Sequence, residues 1–235
     1  MGKKIFLEDN KGFVELLAIF GDDLTIVNAA RVSFHKESAM EKVLDENTNT
    51  ETLKLSKPDT RLIQFLAKHN HITPFFHPIL RFRIKMPIFV VREWYRHGIG
   101  FARNEVSRRY VTNESEIFVP EHRRMRDKNV KQGSKSETIP DNEKYVQQMQ
   151  KYCKKAQEYY NSLLANNVCP EQARMILPQS MYTEFIETAS LAAYARLVNL
   201  RIEASAQREI QVYAQHIDTL VKEKFPVSWP ALIKN

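Results

Sequence analysis

Between residues 79 and 86, Leu80, Phe82, Ile84 and Met86 alternate with Arg81, Arg83 and Lys85. A period of two predicts a strand with one face in a core and the other in water. Phe13–Phe20 is apolar and β-prone, and Gly21-Asp22-Asp23 behind it reads as a turn. A second apolar piece, 24–30, leads into Ala30-Arg31-Val32-Ser33-Phe34, whereas 35–57 is polar and reads as surface. Helical spacing then takes over. Leu62, Ile63, Phe65 and Leu66, after Pro58, form one face of a helix ending near His69. Pro87 opens a second helical segment, 88–96, with Arg92 and Arg96 on one face. A long polar helix is expected over 143–165, a short one from Pro170, and a buried one over the Ala- and Leu-rich 183–200. The last runs over 205–224, where Ile210, Tyr213, Ala214, Ile217, Leu220 and Val221 form an apolar stripe that Pro226 ends. Residues 112–142, with Arg123, Arg124, Arg126, Lys128 and Lys131 before Gln132-Gly133-Ser134, read as a long exposed loop. A few strands among many helices, without strict alternation, predict an α+β fold.

Composition narrows the class. The 235 residues suit a single domain, 1–235, and 43% hydrophobic residues supply a core. Lys and Arg total 35 against 28 Asp and Glu, a formal charge of +7, so anionic partners are favoured. Nucleic acid, nucleotides and anionic membranes all qualify on charge. No apolar run reaches the ~20 residues that span a bilayer, and no nucleic-acid module is recognisable. Neither a membrane nor a nucleic-acid partner is therefore expected. Cys153 and Cys169 lack CxxC or zinc spacing, and the expected location is cytoplasmic.

Candidate chemistry concentrates between His69 and Tyr110. His69, His71 and His77 lack the spacing and acidic neighbours of a metal site, so no metal is assigned. From Arg92 to Tyr110 the chain carries Arg92, Arg96, Arg103, Arg108 and Arg109 with His97, Gly98, Gly100, Tyr95 and Tyr110. Guanidinium forks suit phosphate, glycines admit a close backbone, and aromatics stack on flat rings. Residue types alone leave two readings open: a nucleotide site, or a solvated basic surface paired with Glu93 and Glu105. Arg174 and Arg201 sit among apolar neighbours and require partners, either a bound nucleotide or a carboxylate such as Glu184 or Glu187.

The order of motifs resembles the flavin-dependent thymidylate synthases. Their signature, Arg-His-Arg, seven residues, Ser, is similar to Arg96-His97-Gly98, eight residues, Ser107, and Asn104-Glu105-Val106-Ser107-Arg108-Arg109-Tyr110 matches its extension. Gly98 replaces the second arginine, which normally helps to hold the flavin, and one residue is inserted before Asn104; Arg103 beside the insertion is expected to supply a substitute guanidinium. Ala30-Arg31-Val32-Ser33, the run from Leu66-Ala67-Lys68-His69 to Thr73-Pro74-Phe75 and His77, Ala173-Arg174 with Leu177-Pro178, and Asn199-Leu200-Arg201 with Ala206-Gln207-Arg208-Glu209-Ile210 resemble further family blocks. Phe76 stands where glutamate is usual, and Glu93 where glutamine is commoner.

The resemblance implies a single domain with a small, mostly antiparallel sheet and several long helices, assembled as a homotetramer with shared active sites. It implies methylation of dUMP to dTMP, with FAD as cofactor and NADPH and 5,10-methylene-tetrahydrofolate as co-substrates. Implied dUMP contacts are Glu93, Arg96, Glu105, Ser107, Arg109, Arg174 and Arg201. Implied FAD contacts are Ser33, His71, Thr73, Arg96, His97, Gly98, Arg103, Glu105, Ser190 and Arg196, of which Ser190 and Arg196 occupy positions often held by Asn. Arg201 is the implied catalytic residue. A guanidinium stays charged, so its role is electrostatic activation of uracil rather than proton acceptance. Ser107 reads as a hydrogen-bonding hydroxyl, so no enzyme nucleophile is expected. Two other readings are a flavin- or nucleotide-binding homologue without synthase activity, suggested by Gly98 and Phe76, and a basic nucleic-acid-binding protein.

Overall fold

The computed structural model describes residues 2–45, 50–111, 116–129 and 133–234. In chain order it runs β1 (Lys4–Phe6), β2 (Phe13–Phe20), α1 (Asp23–Arg31), β3 (Glu41–Asp45), β4 (Thr50–Lys54), α2 (Lys57–Lys68), β5 (Ile79–Pro87), α3 (Ile88–Trp94) and β6 (Phe101–Glu105). It continues with β7 (Arg124–Arg126), β8 (Ser134–Thr138), α4 (Asn142–Ala165), α5 (Pro170–Ala173), β9 (Tyr182–Ser190), α6 (Leu191–Arg201), α7 (Arg208–Lys222) and α8 (Ser228–Leu232). Short 3-10 turns lie at Val32–Phe34, Thr73–Phe76 and Arg174–Ile176.

The main sheet has the order β1-β2-β5-β9-β6, every named pairing antiparallel. Leu80, Phe82, Ile84 and Met86 all point into the core, as their alternation requires. Val90, Val91 and Trp94 of α3, most of α6 and the stripe of α7 cover that face. Ser56 caps α2, its hydroxyl accepting from the Asp59 amide, and Pro58 sits in the first turn.

The helix expected over 183–200 is overturned. Its first half is β9 and only its second half is helical, as α6. Strand β9 lies between β5 and β6, so its backbone is consumed by two ladders. Its inward positions are Phe185, Glu187 and Ala189, and a carboxylate in that row hides the period of two. The 112–142 segment is not a plain loop either. It contains the β7–β8 hairpin, and Glu116 to Phe118 run back along Met181, with the Phe118 amide donating to the Ser180 carbonyl. Lys131 and Gln132 lie outside the described residues. The polar 35–57 region holds the exposed β3–β4 hairpin.

Candidate active site on the β6 edge of the sheet

Helix α3 ends at Trp94, and the turn after it delivers Arg96, His97 and Gly98. Residues 97–101 then run back along α6 toward β6. Arg201 meets His97, Arg196 meets the carbonyl of Ile99, Ala193 faces Gly100, and the Phe101 ring meets Tyr194 edge-on at 5.1 Å. Gly100 has φ +82, and a Cβ there would stand 3.5 Å from that of Ala193, so backbone conformation, more than space, favours glycine. Gly98 is different. A Cβ there meets nothing within 4 Å, and its φ is ordinary.

Arg201 is the last residue of α6, where the helix dipole favours a cation. Its Nε donates to His97 Nε2 at 2.8 Å, and a second guanidinium nitrogen contacts the Glu93 carboxylate. His97 is buried. Burial, followed by the charges of Arg201, Arg196 and Arg103, lowers its pKa to about 4. The imidazole is therefore neutral near pH 7, and its Nε2 is an acceptor that leaves the ring proton on Nδ1.

Arg103 turns inward. Its Nε donates to Glu187 at 2.8 Å and a terminal nitrogen donates to the His97 carbonyl at 2.7 Å. Its guanidinium lies between the rings of Phe101 and Tyr95, 4.5 and 4.9 Å from their centroids. Glu187, fully buried, also accepts from Trp94 Nε1 at 3.1 Å. Burial raises its pKa, and Arg103 is the largest opposing influence.

The expected residues thus fall into three groups. Glu93, His97, Gly98, Arg103, Arg196 and Arg201 form one continuous constellation. Glu105, whose carboxylate accepts from Thr183 at 2.7 Å, leads to a second. There Ser107 Oγ accepts from the Arg109 amide at 3.3 Å, and Arg109 pairs with Glu171 at 3.6 Å on the short helix that precedes Arg174. The third comprises Ser33, His71 and Thr73, all exposed, with the 3-10 turn that Thr73 opens packed against α1 and α6. Ser190 caps α6, accepting from the Ala193 amide at 3.3 Å. Arg96 is exposed beside the first group.

Two expectations about arginine are corrected. Arg174 is exposed rather than buried, and the carboxylate of Arg201 is Glu93, not Glu184 or Glu187. Tyr95, read from the sequence as a ring-stacking candidate, instead lies against the Arg103 guanidinium, and Trp94, which donates to Glu187, was not singled out in the sequence. Two surface hollows are found elsewhere, of about 500 Å³ beside Arg123 and Tyr145 and about 330 Å³ around Arg81 and Asn104. Neither is lined by the constellation. Among the described residues no cluster of three metal-ligating side chains occurs, and no helix is long and apolar enough to cross a membrane.

The family model described as thymidylate synthase complementing protein matches residues 15–227. The chain is 36% identical over 229 residues to a flavin-dependent thymidylate synthase of Thermosipho africanus, covering 96% of this chain and 92% of that protein. It belongs to the flavin-dependent thymidylate synthase family. A second family member, from Thermus thermophilus, is 37% identical over 222 residues, covering 94% of this chain and 76% of its own length. Among solved structures, a UMP/dUMP methylase PolB from Streptomyces cacaoi bound with 5-Br dUMP superposes with a TM-score of 0.74 at 29% identity, covering 93% of each chain. The family signature is thus seated in one place: its arginine and histidine lie in the turn after α3, and its extension forms the end of β6 and the turn after it.

Proposed function

We propose that this chain methylates uracil C5 of dUMP to give dTMP, with FAD as cofactor and NADPH and 5,10-methylene-tetrahydrofolate as co-substrates. The observation that carries the reading is the Arg201–His97 contact, flanked by Glu93. Neutral His97 accepts from Nε and fixes the plane of the guanidinium without repelling it. Donors of Arg201 not used by Glu93 and His97 are left for the uracil carbonyl oxygens that flank N3. A cation so placed favours a negatively charged ring and makes C5 more nucleophilic. Glu93 holds Arg201 in the free protein and accepts the uracil N3–H as substrate enters. Arg109 and Arg174 take the phosphate, with Ser107 as a hydroxyl donor.

The donor set suits FAD: exposed guanidinium of Arg96, open space beside Gly98, and exposed Ser33, His71 and Thr73. When bound, FAD supplies the redox chemistry of methyl formation. A homotetramer would bring the three groups onto shared sites. Val32 and Phe34 beside Ser33 are 66% and 75% exposed, and Ile99 beside Gly98 is 78% exposed, apolar surface suited to a partner copy.

Purified protein should show a flavin spectrum and release tritium from dUMP labelled at C5. Arg201→Lys keeps the charge but loses the fork. It should hold dUMP within about tenfold of the native affinity while turnover falls roughly 100-fold. Native turnover in that variant would remove Arg201 from the chemistry. Flavin binding without tritium release by the native protein would point to a homologue lacking synthase activity.

A further inference from the structure

We infer that Arg103 and Glu187 are a positioning pair that holds His97, and through it Arg201, in the geometry that acts on uracil. The inference rests on the dUMP-methylating reading. This chain departs from the family signature at this very place, with Gly98 for arginine and one extra residue before Asn104. Such a loop requires new fastening, and the structure provides it.

Arg103 lies on β6, opposite Glu187 on β9 in the ladder. The pair spans the sheet edge and fills the niche between Tyr95 and Phe101, and Glu187 is in turn fixed by Trp94 from α3. One guanidinium thus ties β6, β9 and the end of α3 to the His97 carbonyl. The imidazole of the same His97 is the partner of Arg201. Displacing its backbone tilts the ring and rotates the guanidinium it steadies. A reactive group moved by about 1 Å can cost roughly 100-fold in rate. A fork is needed here, because separate nitrogens serve Glu187 and His97. Arg103 so placed fastens the loop rather than offering itself to a ligand.

Removing Arg103 alone would strand a buried carboxylate, so the test removes both charges. The R103M/E187Q variant is assayed at saturating FAD for tritium release and dUMP affinity, and His97 is followed by imidazole nitrogen NMR. Cooperative melting checks that the variant folds. Turnover is expected to fall roughly 10- to 100-fold while dUMP affinity changes less than about threefold. The His97 titration is expected to move upward from about 4 as Arg103 is removed and Arg201 displaced, while burial, the largest cause, still holds it below 6.5. R103K, which keeps the charge without the fork, should melt like the native protein yet remain slow. Near-native turnover in R103M/E187Q, or a His97 titration that stays in place, overturns the inference. Absence of tritium release from the native protein would instead overturn the methylation reading, leaving the NMR result to judge the pair by itself.

Discussion

His97 is buried beside three guanidiniums, which with burial lower its pKa to about 4 when folded, whereas in the unfolded chain it titrates near 6.5. Between those values the unfolded state binds more protons, so acid favours unfolding. The stability tied to neutral His97 is complete above pH 6.5 and is lost as the pH falls toward 4. His216, lowered by burial, acts in the same direction. Melting temperature should therefore drop across this window, and His97→Asn should flatten the slope in a thermal-melt series. An unchanged slope would mean that His97 is not the group responsible. Glu187 and Asp23 carry the opposite sign, since burial raises both, and they do not explain an acid loss.

Helix α6 is the rail on which residues 97–101 lie, so its first turn matters. Ser190 is its N-cap, and Ser190→Ala should cost about 1 kcal/mol, read by denaturant unfolding. A change of a few tenths or less would place the cap's value elsewhere. Strand β5 was legible because arginine and lysine alternate with apolar side chains without interruption. The stripe of α7 was legible for the same reason at period 3.6. Strand β9 was not, because Glu187 occupies a core position and a buried carboxylate mimics a surface residue. Nor was β6, whose Arg103 and Asn104 carry no strand pattern; it exists because β9 offers a free ladder edge. Among site residues, Arg201, His97 and Glu93 were legible as types from the motif order. That Glu93 would take Arg201 depended on α3 meeting the end of α6, and that Glu187 would take Arg103 depended on β9 being a strand.

At the scale of the whole molecule, the chain holds the expected residues in three groups rather than around one enclosed cavity. Light scattering should give about four times the 27.5 kDa chain mass; a monomer with full activity would exclude subunit-shared sites. The protomer also has an internal fastening. Asp23, at the start of α1, accepts from the backbone amides of Val227 and Ser228 at 2.9 and 3.1 Å, and α8, which Ser228 begins, packs on α2 and α6. A single early carboxylate thus buckles the last helix onto the same α1 that leads to Ser33. A pull on the tail, from a bulky tag or a tethering surface, is therefore borne by α1, the helix that leads to Ser33.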